Sequence, residues 1–201
     1  KTKKMKIIGI KDIILISLIL IMILNVLWGL SGTLTDYYLT KDNDILIESP
    51  EFINNYFPEE YLNITKIFFI KSKCLDIKEN SCVKGRYSCD NKIYIAMKNP
   101  KEKVIFNIYH EMGHHIWRYY LSQDERLNWT YYYKLNGGIT KYSRTEDSTE
   151  DFSEFYSLSQ TRFNLENKRD INREMILNKF LENNPKFDLR SQITDFRIWA
   201  T

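Results

Sequence analysis

Residues 100–121 read PKEKVIFNIYHEMGHHIWRYYL and predict one continuous helix. Asn99, just before this stretch, is expected to cap the helix, because its side chain can accept from a free backbone N–H. Pro100 suits the first helical position, and Glu102 stands where the acid of a capping box is found. Apolar residues recur at helical spacing at Val104, Ile105, Ile108, Met112 and Ile116. The helix is therefore expected to bury one face against a core.

All three histidines of the chain lie in this helix, at positions 110, 114 and 115. Residues 110–114 read HEMGH, an HExxH motif whose two histidines share one helical face. Imidazoles in this arrangement are typical Zn²⁺ ligands. Glu111 is expected to act as the general base on a water bound by the metal. The alternative interpretation is two surface histidines with a solvated acid between them.

A catalytic zinc ion needs a third protein ligand. The HExxHxxGxxH pattern is excluded, because position 117 is Trp and position 120 is Tyr. With no further histidine in the chain, the ligand must be an acid or a cysteine. The best candidates are Glu150 and Glu154, four residues apart on a predicted helix. One carboxylate can bind the metal while the other holds a ligand imidazole, although an ordinary acidic helix N-terminus is the alternative.

The residues that follow the HExxH helix bear a specific resemblance to a known family. HEMGHH at 110–115 is followed by YSRT at 142–145 and by EDFSE at 150–154. This succession resembles the gluzincin metallopeptidases, most closely the anthrax-lethal-factor-like and minigluzincin branch, over about residues 90–160. The resemblance implies a small zincin-like α+β domain with a short antiparallel or mixed sheet, an HExxH active-site helix and a following glutamate helix.

The resemblance also implies a role for each candidate site residue. His110, His114 and Glu150 correspond to the ligands of one catalytic Zn²⁺ ion. Glu111 corresponds to the residue that acts as general base and then as general acid. Glu154 corresponds to the acid that orients a ligand histidine in thermolysin-like relatives.

Two further family features can be placed on the chain. Tyr142 corresponds to the loop tyrosine that stabilises the tetrahedral oxyanion, with the tyrosines at 131–133 as alternatives. The strand before the HExxH helix corresponds to the edge strand that pairs with extended substrate. Its residues are Lys92, Ile93, Tyr94, Ile95, Ala96 and Met97. His115 has no role in the family, and we expect it to support a ligand or to lie at the surface.

The N-terminus carries a membrane signal. Residues 13–30 are uncharged, and a helix of that length spans about 27 Å, close to the bilayer core of roughly 30 Å. Residues 1–12 contain five lysines and one acid, which is expected to keep this end cytoplasmic. The prediction is a single-pass signal anchor that binds membrane lipid and places the catalytic domain outside the cell. The alternative is a cleaved signal peptide and a secreted protein.

The charge distribution argues against a nucleic-acid partner. The formal net charge is +3, and residues 1–12 contribute five lysines and one aspartate, or +4, which leaves 3 − 4 = −1 for the rest. A nearly neutral body lacks the basic patch that nucleic-acid binding requires. A hydrophobic content of 43% with 27% charged residues also excludes bulk disorder.

The rest of the chain predicts strands first and helices afterwards, which favours an α+β fold. The expected strands are 64–71 and 92–97, and the segment 72–91 between them is an extended loop or hairpin. One disulfide is expected among Cys74, Cys82 and Cys89. Helices are predicted to follow Ser122, with Glu125 completing a capping box and Gly137 ending the helix, and to cover 148–162 and 171–183.

These elements divide the chain into a basic cytoplasmic N-terminus, a transmembrane segment, a spacer, a metallopeptidase domain and a tail. The ranges are 1–12, 13–30, 31–48, 49–184 and 185–201. The tail is expected either to pack as an ordinary terminus or to cover the cleft. The combined expectation is a membrane-anchored zinc metalloendopeptidase that hydrolyses peptide or protein substrates through a zinc-bound water with Glu111 as base. The alternative is a catalytically inactive zinc-binding or partner-binding surface protein on the same scaffold.

Overall fold

The computed structural model describes residues 45–46, 50–78, 81–88, 90–161 and 170–191. The predictions for 1–12, for 13–30, for Cys89 and for the end of the tail lie outside these residues. None of the helices in the described ranges is long and apolar enough to cross a bilayer.

The described residues form six strands and six α-helices, followed by a short 3₁₀ turn at Pro185–Phe187. The strands are β1 (Ile45–Leu46), β2 (Lys66–Ile70), β3 (Asp76–Lys78), β4 (Ser81–Val83), β5 (Gly85–Tyr87) and β6 (Lys92–Ala96). The helices are α1 (Glu51–Asn54), α2 (Glu59–Leu62), α3 (Lys101–Tyr119), α4 (Gln123–Asn136), α5 (Ser148–Thr161) and α6 (Ile171–Asn183). The α+β prediction is confirmed, as are the strands and helices predicted from sequence.

The main sheet is mixed, with the strand order β1-β2-β6-β5. β2 and β6 are parallel, whereas β1 pairs with β2 and β5 pairs with β6 in the antiparallel sense. β3 and β4 form a separate hairpin. A disulfide between Cys74 and Cys82 closes the segment around that hairpin, so the predicted local staple uses this pair.

The prediction of an edge strand at 92–97 is wrong. β6 lies between β2 and β5, so the residues from Lys92 to Ala96 are internal to the sheet, and Met97 lies beyond the strand end. The chain reverses between β5 and β6, and the Ser88 N–H donates to the Lys92 carbonyl at 2.8 Å. Asn91 adopts the left-handed conformation that this reversal needs, with φ 65°. The reversal lays β5 along β6, and β5 is one of the two edge strands of the sheet that the described residues form.

The start of α3 also differs from the sequence prediction. Pro100 stands at the N-cap and no side chain caps the helix. The Asn99 side-chain amide donates instead to the carbonyls of Lys73 and Ala96, at 2.9 and 3.0 Å. Asn99 therefore ties the helix start to the end of β6. Capping by Ser122 and Glu125 at the start of α4 is confirmed, with both hydrogen bonds of the box present.

The core lies where α3 packs against the sheet on one side and α5 on the other. The predicted apolar face of α3 is fully buried, together with Phe152, Phe155 and Tyr156 of α5. Phe187 of the tail is also buried, and its ring packs 4.7 Å from the Tyr120 ring. The described part of the tail, 185–191, is therefore a packed segment, and none of its residues lines the cleft beside the HExxH helix.

Candidate metal centre

Three side chains from two helices converge at one point of the α3–α5 interface. His110 Nε2 lies 3.1 Å from Glu150 Oε2, and His114 Nε2 lies 3.4 Å from the same oxygen. The two Nε2 atoms are 3.2 Å apart. Each side chain is mostly buried, with exposed fractions of 12%, 15% and 22%. The group of His110, His114 and Glu150 can hold a metal ion.

The electrostatics of these three residues favour a positive charge between them. Burial by itself would lower the pKa of His110, but hydrogen bonds to Glu150 and Glu154 and the charge of Glu111 raise it to about 10. Burial would raise the pKa of Glu150, but hydrogen bonds and charge attraction from His110 and His114 hold it well below its usual range. Two imidazoles and a carboxylate at this spacing can share a cation, whether a proton or a metal ion.

Glu154 lies one turn after Glu150 on α5 and faces the other side of the His110 ring. Its Oε1 lies 3.3 Å from His110 Nδ1. The imidazole is therefore held between two carboxylates, one at each nitrogen. An acid at Nδ1 fixes the ring orientation and leaves Nε2 directed at the ion position.

The start of α5 is fixed by residues that sequence reasoning did not identify. The Asp147 side chain accepts from the N–H groups of Thr149 and Glu150, at 2.8 and 3.1 Å, and so caps the helix one turn before the ligand. Asp151 is fully buried and accepts from Trp129 Nε1 at 3.0 Å and Arg173 Nε at 2.8 Å. These contacts orient the first turn of α5 so that Glu150 faces α3.

Gly113, inside the HExxH motif, allows the two helices to approach. A Cβ atom at Gly113 would lie 2.7 Å from the Cα of Ser153, closer than any real contact permits. A larger residue would push α5 away from α3 and carry the Glu150 carboxylate with it. The available sequence signal was a glycine in the middle of a strongly periodic helix, which usually has a packing reason.

Glu111 is 6% exposed and lies against β5 rather than among the three ligand atoms. Burial raises the pKa of its carboxyl group, against the lowering effects of His110 and His114 and of the backbone N–H of Tyr87. A carboxylate with a raised pKa is a stronger proton acceptor than an ordinary glutamate. Glu111 therefore lies beside the group of His110, His114 and Glu150, and its role as a base stays a prediction.

Tyr142 stands at the mouth of the same site. Its ring centroid lies 6.3 Å from that of His110, and half of the residue is exposed. Burial of the hydroxyl and the charges of Glu150 and Glu146 raise its pKa, so the hydroxyl stays protonated. The alternatives at 131–133 do not line the cleft, and the Tyr133 hydroxyl donates to the Glu146 carbonyl at 2.8 Å.

These residues open onto a cleft of about 910 Å³. One wall is β5 with Val83 and Lys84 before it, and the floor is α3. The residues from Lys92 to Met97 do not line the cleft, because β5 stands between β6 and the open edge. A larger groove of about 1140 Å³ lies beside β2 and α2, away from the histidines.

His115 faces the core and takes no part in the metal group. It is 3% exposed, and its ring packs against those of Tyr87 and Tyr120. Neither ring nitrogen has a hydrogen-bond partner within the described part of the chain. Burial and the nearby charge of Lys186 lower its pKa to about 4, so the ring is neutral. The residue is buried rather than at the surface, and it supports Tyr87, whose ring also stacks on His114.

No protein family matches the chain, and neither the curated proteins nor the solved structures contain a match. The resemblance to gluzincins therefore rests on the quoted motif residues alone.

Proposed function

We propose that the chain is a zinc metallopeptidase of the gluzincin type. The observation that carries this proposal is the convergence of His110, His114 and Glu150 beside a buried Glu111. Two imidazoles, a carboxylate ligand and an adjacent acid in an open cleft are the parts that metal-assisted peptide hydrolysis requires.

The donor set favours zinc as the ion, and the spacing of the donor atoms is compatible with it. A tetrahedral zinc site with bonds of about 2.0–2.1 Å keeps its ligand atoms about 3.3–3.4 Å apart. The three separations are 3.1, 3.2 and 3.4 Å. A set of two histidines and one glutamate also leaves a coordination position open, as catalytic zinc sites do. Bound zinc supplies Lewis-acid chemistry, since it polarises a carbonyl group and stabilises negative charge on oxygen.

The remaining chemistry belongs to side chains of this protein. Glu111 accepts the proton of the attacking water and passes it to the leaving amine, a task that its raised pKa favours. The Tyr142 hydroxyl, whose pKa burial raises further above its ordinary value, donates to the oxygen on which charge develops. Glu154 keeps the His110 ring in place throughout.

We assign substrate pairing to β5 instead of the predicted 92–97 strand. β5 is the end strand of the four-stranded sheet, and its residues line the cleft beside Glu111. An extended peptide can add to such an edge through main-chain hydrogen bonds, which suits hydrolysis of polypeptides. With residues 13–30 as a membrane anchor, the substrates would be peptides or proteins outside the cell.

The first experiment compares wild type with Glu111→Gln in the full-length chain, purified in detergent. Bound zinc is measured by elemental analysis, and cleavage of a mixed peptide library by mass spectrometry. We expect both proteins to hold one zinc ion per chain, and the variant to lose about 10²–10⁴-fold in cleavage rate, as is typical for a missing general base.

The matched control is Glu150→Gln, which changes the same functional group one helix away and is expected to lose zinc as well as activity. Zinc-loaded wild type that cleaves no peptide would favour the rival function, an inactive zinc-binding or partner-binding surface protein. Loss of zinc from Glu111→Gln would contradict its role as a base outside the ligand set.

A further inference from the structure

Gly85 of β5 faces Glu111 directly. A Cβ atom at Gly85 would lie 2.5 Å from Glu111 Oε1, 3.0 Å from its Cγ and 3.1 Å from its Cδ. The side-chain volume of residue 85 is therefore already occupied by the Glu111 carboxylate. Any substituent at this position has to displace that carboxylate or the strand.

The backbone of β5 does not itself require glycine here. Gly137 is the one glycine with positive φ in the described ranges, and Gly85 lies in a strand. A glycine inside a strand weakens pairing and often marks a place where another group approaches closely. In β5 the approaching group is Glu111, so the close contact accounts for the glycine.

The same strand holds the carboxylate from a second position. Two residues after Gly85, the Tyr87 backbone N–H donates to Glu111. The strand is itself fixed, because Gly85 pairs with Ile95 and Tyr87 with Ile93, and both isoleucines are fully buried. One residue of β5 thus leaves room for the carboxylate and another supplies a hydrogen bond.

We propose that Gly85 is a positioning residue for Glu111: the missing side chain defines where the carboxylate lies beside His110 and His114. The steric pairing of Gly85 with Glu111 stands on the geometry of β5 and α3. Its consequence for catalysis rests on the proposed function. A methyl group at position 85 moves the carboxylate while the three ligand atoms, which come from α3 and α5, remain in place.

The pairing is tested without activity by a double-mutant cycle of thermal unfolding on the metal-free full-length chain. The four proteins are wild type, Gly85→Ala, Glu111→Ala and the double variant. Gly85→Ala is expected to lower Tm by about 2–4 °C in the wild-type background, less than full overpacking would, because the contacted atom is the end of the Glu111 side chain. In the Glu111→Ala background the loss is expected to disappear, because the methyl group occupies the space vacated by the carboxylate.

Gly113→Ala is the matched control, since it adds the same methyl group at another close approach. Its neighbour is the Ser153 backbone, so Glu111→Ala should not relieve its Tm loss. Equal Tm losses for Gly85→Ala in both backgrounds would overturn the inference, whether or not the protein cleaves peptides.

The catalytic consequence is tested on the zinc-loaded chain. Gly85→Ala is expected to lower kcat at least tenfold, with about the same zinc content and KM, whereas Gly113→Ala loses zinc. Glu111→Asp shortens the base by one methylene, and in the Gly85→Ala background it should recover part of kcat because the shorter side chain fits beside the methyl group. A Gly85→Ala protein with unchanged kcat would overturn the positioning role. Absence of cleavage by wild type would overturn the proposed function and leave the thermal cycle as the test of the pairing.

Discussion

Two pairs of adjacent residues divide between the cleft and the core. His114 and Glu150 face the cleft, where their polar atoms meet one another and His110. Their neighbours in sequence, His115 and Asp151, face the core. Successive helical residues are about 100° apart, so one step along α3 or α5 turns a side chain from one environment to the other.

Buried polar groups have different partners in the core and in the cleft. Asp151 is fully buried, and the protein supplies its donors from Trp129, Ile139 and Arg173. The Glu150 carboxylate meets two imidazoles that can share a cation with it. The structural acid is thus satisfied by donors of the core, whereas the cleft acid belongs to a group of side chains that could hold a metal ion.

The largest expected effect tests the core side of this comparison. Asp151→Ala leaves the Arg173 guanidinium, which is 2% exposed, without its main buried partner. We expect the free energy of unfolding of the metal-free protein to fall by about 3–5 kcal/mol, as when one member of a buried ion pair is removed. Urea unfolding measures the change. Glu150→Ala should lower the free energy of unfolding by less, because the Glu150 side chain reaches water. A larger loss for Glu150→Ala than for Asp151→Ala would contradict the distinction between core and cleft.

The next effect tests the cleft side. Zinc at 100 to 1,000 times its dissociation constant is expected to stabilise the folded wild type by about 3–4 kcal/mol. Thermal unfolding with and without zinc measures the gain, and chelation should reverse it. Glu150→Gln should show little of this gain, and an equal gain in that variant would mean that zinc binds elsewhere.

The smallest effect concerns His115. Unlike the Asp151 carboxylate, its ring nitrogens have no hydrogen-bond partner in the described part of the chain. Burial first, and then Lys186, lowers its pKa from an ordinary value of 6.5 to about 4. The unfolded chain therefore binds the proton more readily than the folded protein does. The contribution of His115 to the free energy of unfolding is complete above about pH 6.5 and declines as the pH falls toward 4.

His115→Phe removes that dependence. The free energy of unfolding of the variant relative to wild type should be constant above about pH 7 and should rise by about 1–2 kcal/mol in favour of the variant near pH 5. Denaturant unfolding of the metal-free proteins at several pH values measures the difference. Titration of the candidate metal ligands cancels, because wild type and variant both contain them. A difference that does not change with pH would show that the His115 ring titrates normally.

Much of the framework follows from local sequence. The periodic apolar residues of α3, the box of Ser122 and Glu125, and Gly137 after α4 all predict elements that the structure contains. Helical spacing also placed His110 and His114 on one face. The i to i+4 geometry of a helix depends on the backbone alone, so these predictions did not require the rest of the fold.

Other features depend on residues far apart in the chain. The three residues of β5 have no alternating pattern, and only pairing with β6 makes them a strand and the sheet edge. Asn99 has the side chain of a helix cap but bonds to Lys73 and Ala96 instead. A local pattern cannot report which distant group will compete for a donor.

The sequence by itself determined that one helix presents the imidazoles of His110 and His114 to a common side, because a single turn of backbone sets their spacing. Only the tertiary structure decided that Glu150 approaches within 3.1 Å of His110 and that β5 backs the Glu111 carboxylate. Both contacts depend on how closely separate elements pack. The elements can approach at Gly113 and Gly85 because neither residue has a side chain. The sequence alone does not show which neighbour, Ser153 or Glu111, fills the space.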